Sequence, residues 1–203
     1  MTRFSIPKSE LKTFRPVISE KNVWALWDKG LEAMYPSYQQ TVVDWVRKLG
    51  RSWTVRIVDL AEDSPNHVYK FVGRGWFLKC LNQQTMNGPH AAQHAADLVR
   101  LPLLYVHGGV WMDVGNMLLM HLDHRFCDAL SAHHSPYEMG AWVISGQVRK
   151  QWGSFGNYML AARKGDAFIE NCHNGYKELW KGRTNAEDFH KLPLIQDIGL
   201  AHG

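Results

Sequence analysis

Residues 90–113, HAAQHAADLVRLPLLYVHGGVWMD, constrain the fold more than any other part of the chain. Residues 90–107 are apolar nearly all round, which marks a helix buried on most of its circumference rather than a surface helix with one apolar stripe. The helix must stop at Gly108-Gly109, and Val110-Trp111-Met112-Asp113-Val114 then reads as a short buried strand with a carboxylate at its far end. Pro102 lies inside the helix and predicts a kink, because it removes a backbone donor and its ring crowds the preceding turn.

The chain before this segment has the rhythm of a parallel sheet. Asn22-Val23-Trp24-Ala25-Leu26-Trp27 is a buried strand ended by the turn Asp28-Lys29-Gly30. Over residues 37–49, Tyr38, Val42, Trp45, Val46 and Leu49 recur at helical spacing, with Ser37 as N-cap and Gly50 just past the end. Residues 53–59, WTVRIVD, alternate as a strand does, so strand, helix and strand follow within one βαβ unit. Met117, Leu118, Leu119 and Leu122 form a further short apolar run. Strands are expected at residues 140–145 and 158–162, with a flexible loop at 153–156. Residues 166–181 form an amphipathic helix that presents Phe168, Ile169, Cys172, Tyr176, Leu179 and Trp180 on one broad face. Residues 1–21, with Pro7 and Pro16 and no periodicity, form an N-terminal arm, and residues 22–203 form a single domain.

Composition narrows the function classes. With 203 residues, 45% hydrophobic and 12% aromatic, the chain can bury a substantial core. Its +4 formal charge is scattered over groups such as Arg47-Lys48 and Arg149-Lys150 and never forms a basic run, so nucleic acid is not an expected partner. Three cysteines at wide spacing, Cys80, Cys127 and Cys172, read as free thiols in a reducing compartment, which points to the cytoplasm. No apolar run is long enough for a membrane span, and the residues after Met1 do not read as a secretory h-region, so none is expected.

Three residues carry the chemistry of the central segment. Asp97 and Arg100 are three apart and share a face of an otherwise apolar helix. They are either an ordinary structural ion pair or a pair turned into a polar cleft, where the carboxylate accepts and the guanidinium donates hydrogen bonds to hydroxyls or phosphate oxygens. Asp113 is either a solvated strand terminus or a ligand for a divalent cation, since ligands of α/β sheets bind beyond the carboxyl ends of the strands. Other constellations are weaker. His90 and His94 have metal-compatible spacing, but Ala91 stands where a zinc hydrolase of this pattern has Glu. His133-His134 with Cys127 lacks paired-Cys spacing. Ser145 and Ser154 lack a nucleophile elbow, and Gly108-Gly109 is not a dinucleotide fingerprint.

Taken together, Asp97-x-x-Arg100, Leu104-Tyr105, Gly108-Gly109 and Trp111-x-Asp113 closely resemble the DxxR...LYxxGGxYxD signature of glycosyltransferase family 32 and of capsular-polysaccharide-synthesis-type sugar transferases. The resemblance extends over residues 20–190 and is strongest at 90–123. It implies a glycosyltransferase-A fold of the α/β class, a Rossmann-like mixed sheet flanked by helices. It also implies a nucleotide-diphosphate sugar donor, an acceptor hydroxyl of unknown identity, and Mn²⁺ or Mg²⁺. Carried over by position, Asp97 and Arg100 match the pair that contacts the donor sugar, and Asp113 matches the first carboxylate of the Asp-x-Asp metal motif. Trp24 and Trp27 would lie near the nucleobase or else pack the core, and Asn157 would reach donor or acceptor or else serve as a turn residue.

The chain departs from the pattern at Gly115, which stands where the second carboxylate of the metal motif belongs. A weaker metal site is the expectation, with Asn116 and Asp123 as reserve oxygen ligands or structural residues. Pro102 is expected to tilt Asp97 relative to Arg100, and the C-terminal part is expected to be short for this family. These departures keep a second class open beside the transferase, a non-catalytic glycosyltransferase-like accessory protein.

Overall fold

The computed structural model describes residues 8–132, 134–143 and 155–196. The chain enters through the short helix α1 (Ser9–Lys12) and continues extended to β1 (Asn22–Leu26). Helix α2 (Pro36–Leu49) leads to β2 (Thr54–Val58), and loops with the short helix α3 (Lys79–Asn82) lead to α4 (Ala91–His107). Strand β3 (Gly109–Met112) follows directly, then the short helix α5 (Asp128–Ser131), β4 (Met139–Val143), β5 (Phe155–Ala162), α6 (Ala167–Trp180) and a last short helix, α7 (Pro193–Gln196).

The five strands form one mixed sheet in the order β2-β1-β3-β5-β4. β1 pairs in parallel with both β2 and β3, and β5 runs antiparallel between β3 and β4. The pleat sends alternate side chains to opposite faces, and the two cores follow from it. Trp24, Trp111, Leu160 and Ala162 face α4 and α6 and pack with Leu98, Leu101, Leu104, Ile169 and Trp180. Val23, Ala25, Val110, Met112 and Ala161 face the other way, onto Val42, Trp45 and Leu49 of α2. A helix layer thus covers each face of the sheet, which is why its central strands are apolar on both sides.

The Gly108-Gly109 junction is dictated by both torsion and space. Both residues have positive φ, +66° and +104°, which only glycine adopts without strain. A Cβ at Gly109 would lie 2.5 Å from the carbonyl oxygen of Asn22, so any other residue would push β3 away from β1.

Several expectations are corrected. Helix α2 starts with Pro36 at its first position and Tyr35 ahead of it, so Ser37 is inside the helix and not its cap. Pro102 lies inside α4, as the sequence indicates, and the helix continues to His107. The arm is not merely draped over the surface: Leu11 is buried, and Arg56 donates to the carbonyl oxygens of Arg15 and Pro16. Phe155 and Gly156 belong to β5 rather than to a loop, while residues 144, 145, 153 and 154 lie outside the described residues.

Candidate functional site

Helix α4 ends its polar face at the junction of β3 and β5, and that crossing assembles the site. Arg100 is 4% exposed; its Nη2 lies 3.0 Å from Asp97 Oδ1 and 3.5 Å from Asp113 Oδ1. Its Nη1 donates to the carbonyl oxygen of Asn157 on β5, and the guanidinium lies 5.1 Å above the Trp111 ring. Asn157 closes the circuit by donating from its side-chain amide to Asp97 Oδ1 at 3.0 Å. Residues from three separate elements therefore meet around one buried cation. The Asp97–Arg100 pair forms with Pro102 inside the helix, so the tilt expected from the proline does not separate the two side chains.

Burial is the largest influence on Asp97 and pushes its carboxyl pKa above the ordinary value, while Arg100 and His94 pull the other way. His94 sits 3.8 Å from Asp97 and packs edge-on to Trp180, so it belongs to this cluster and not to a histidine metal pair with His90. Among the described residues no group of three or more His, Cys, Asp or Glu side chains is placed to hold a metal ion.

Asp113 follows the last residue of β3 and is held from several sides. Its backbone N–H donates to Tyr158, and its Oδ1 accepts from the Trp111 indole at 2.7 Å. The loop behind it is pinned by Trp45, which donates to the Asn116 carbonyl at 2.8 Å, and by the Asn116 amide, which donates to Tyr158 at 2.7 Å. Asn116 is thus a loop anchor. Both of these side-chain contacts of Asp113 fall on Oδ1, and 42% of the side chain is exposed. One carboxylate suits Mg²⁺ or Mn²⁺ when waters and phosphate oxygens complete the shell. Gly115 gives no second carboxylate, although a Cβ built there meets nothing closer than the Tyr38 ring at 3.9 Å. Asp123 is engaged elsewhere, accepting from Lys21 at 2.9 Å and from Trp53 at 3.1 Å, and is structural.

The two tryptophans of the first strand part company. Trp24 is 0% exposed, stacks on His107 and donates its indole N–H to Gly108, so it offers no face to a ligand. Trp27, one residue past the end of β1, is half-buried and forms an aromatic cluster with Tyr35 and Tyr38, both of which are exposed. Tyr38 also touches the Gly115 position, so this cluster borders the Asp113 loop. Strand alternation alone could not tell which tryptophan stood at the open edge.

Beside Arg100 lies a cavity of about 390 Å³, bounded by α4, β5 and α6. Asp97, Arg100 and Asn157 stand in its wall together with Phe155, Phe168 and Tyr176. Tyr176 is a site residue that the sequence reading left on an amphipathic helix face. Gly156 makes room for this wall, since a Cβ there would collide with the Tyr158 ring.

A mixed sheet with this strand order, helices on both faces and a charged cluster at the strand ends defines a glycosyltransferase-A-like α/β protein. The chain belongs to the capsular polysaccharide synthesis protein family, which it matches over residues 2–200. It is 40% identical over 190 residues to the O-glycosyltransferase braB of Annulohypoxylon truncatum, a match covering 94% of this chain and 45% of that protein. Likewise it is 42% identical over 192 residues to the glycosyltransferase afumC of Aspergillus fumigatus, covering 94% of this chain and 49% of the relative. The chain therefore spans about half the length of the curated relatives it matches. Among solved structures, the PaToxG glycosyltransferase superposes with a TM-score of 0.54 at 14% identity, covering 91% of this chain and 69% of that one, a likeness of fold. No described helix is long and apolar enough to cross a membrane.

Proposed function

We propose that this chain binds a nucleotide-diphosphate sugar at the cluster of Asp97, Arg100, Asp113 and Asn157 and transfers the sugar to an acceptor hydroxyl. The observation that carries the reading is the convergence of Asp97 and Arg100 with Asp113 around a buried guanidinium at the carboxyl ends of β1 and β3. In this reading Asp97, Arg100 and Asn157 orient the sugar by hydrogen bonds, and Trp27 with Tyr38 borders the nucleoside. Asp113 is the residue that would hold Mn²⁺ or Mg²⁺, and a bound ion would supply neutralising charge for the departing diphosphate. Arg100, kept in place by the Asn157 carbonyl and Trp111, adds fixed positive charge beside the same group. The bond from the anomeric carbon to the diphosphate oxygen breaks as the acceptor oxygen bonds to that carbon, and the acceptor's proton leaves with the diphosphate. Positioning and charge stabilisation supply the rate, and a dedicated protein nucleophile is not required.

A second reading, a non-catalytic accessory protein of the same fold, is favoured by one observation, the Gly115 position that leaves the metal motif with a single carboxylate. Calorimetric titration of uridine and guanosine diphosphates and their sugars, with and without Mn²⁺, separates the readings when paired with Gly115→Asp. Transfer activity in the native chain supports the transferase. Metal-dependent binding that rises in Gly115→Asp without any sugar transfer supports the accessory protein.

A further inference from the structure

Most of the polar atoms in the site have partners, and the exception belongs to Arg100, a residue of the cavity wall. Arg100 Nε is buried and has no hydrogen-bond partner. A buried guanidinium N–H without an acceptor costs stability unless a ligand completes it. Tyr176 of α6 lines the same cavity as Asp97 and Arg100, and both charges act on its phenol. Burial keeps that phenol protonated, so it can donate as well as accept. The apolar walls come from Phe155 and Phe168, whose rings lie 6.0 Å apart and suit the C–H face of a pyranose. The Asp97 carboxylate at the polar end disfavours an acidic sugar, and the volume is in the range of small-molecule pockets.

We propose that Tyr176 is a specificity-determining residue of the sugar pocket, donating to one hydroxyl of a neutral hexose held between Asp97, Arg100 and the α6 wall. This rests on the reading of the Asp97 and Arg100 cluster as the sugar end of the site. It adds the α6 wall, which the residues carried over from the family resemblance do not include. Helix α6 is well fixed for such a task, with the Asp166 side chain capping it through the Ile169 N–H at 2.9 Å and α4 packed along it.

Tyr176→Phe removes only the hydroxyl and keeps the ring. Two probes are applied to the native chain and to this variant. The first is calorimetry of uridine and guanosine diphosphates against their glucose, galactose and mannose conjugates in the presence of Mn²⁺. The second is saturation-transfer NMR of free methyl glucoside, galactoside and mannoside. The expected result is a diphosphate affinity unchanged within about twofold and a preference among the epimeric sugars shifted at least about fivefold, the scale of one hydrogen bond. If no nucleotide binds but the free glycosides contact the native chain and lose their preference in Tyr176→Phe, the pocket stands and the nucleotide-sugar reading falls. An epimer preference that is the same in both proteins overturns the proposal. So does a native chain that engages neither sugar conjugates nor free glycosides.

Discussion

Two buried arginines, one on a strand and one on a helix, have opposite surroundings. Arg56 on β2 is 6% exposed and Arg100 on α4 is 4% exposed. Arg56 spends Nε on Asn22 Oδ1 at 2.9 Å and its two terminal nitrogens on the carbonyls of Arg15 and Pro16, with its guanidinium 5.3 Å above the Trp24 ring. Its side chain is satisfied by neutral oxygens alone, and burial brings its pKa down to about 10. Arg100 is surrounded by two carboxylates and a carbonyl, yet one donor is left over beside a cavity. The first cation ties the N-terminal arm to the sheet, whereas Arg100 keeps one buried N–H without a partner.

The sharpest way to break this comparison is to exchange the consequences of the two residues. Arg56→Met should cost about 3 kcal/mol of stability in urea unfolding, because it strands Asn22 Oδ1 in the interior and releases the arm held through the Arg15 and Pro16 carbonyls. Arg100→Lys should leave the melting temperature within a few degrees but reduce sugar-nucleotide affinity about 100-fold, since an ammonium cannot reproduce the planar contacts to Asp97, Asp113 and Asn157. A ligand affinity that survives Arg100→Lys would place the site elsewhere.

A third buried side chain extends the comparison. His173 on α6 is buried against Trp76 and does not line the cavity. Burial drives its pKa down to about 4, so the folded state keeps it neutral where an unfolded chain takes up a proton. Protons therefore favour the unfolded chain as pH falls from about 6.5 toward 4, with a loss approaching about 3 kcal/mol. His173→Phe should flatten that part of the stability profile without touching sugar binding. Asp97 has the opposite sign of shift for its charge type, raised by burial. The folded state accepts its proton at a higher pH than the unfolded chain does, so this contribution favours folding in acid and is lost as pH rises through the raised value. Sugar affinity should consequently fall on acidification at a pH above that of an ordinary aspartate, and Asp97→Asn should remove this dependence.

The tryptophan pair gives the smaller effects. Trp24→Phe should cost about 2 kcal/mol in stability through the lost Gly108 hydrogen bond and the volume left empty. Trp27→Ala should leave stability within about 1 kcal/mol while weakening diphosphate binding about tenfold, as measured by calorimetry.

Much of this was legible in the residues themselves. The βαβ unit, the all-round apolar helix and the strand after Gly108-Gly109 follow from periodicity and torsional demand, and the three-residue spacing of Asp97 and Arg100 made them neighbours whatever the fold. What escaped depended on contacts between distant parts of the chain. The Asn157 carbonyl reaches Arg100 only because β5 inserts antiparallel beside β3, a pairing that strand patterns do not specify. Tyr176 looked like one more apolar position of α6, since sequence cannot separate a residue that faces a core from one that faces a cavity. Nothing in the alternation of residues 53–59 singles out Arg56, because the carbonyls that hold it come from an arm without periodicity.

The central claim is tested most directly by calorimetric titration of uridine and guanosine diphosphate sugars into the native chain and Asp113→Ala, with Mn²⁺ and with chelator. Binding should require the ion and fall about 100-fold in the variant. Binding indifferent to both the ion and Asp113, or no binding under any condition, would contradict it.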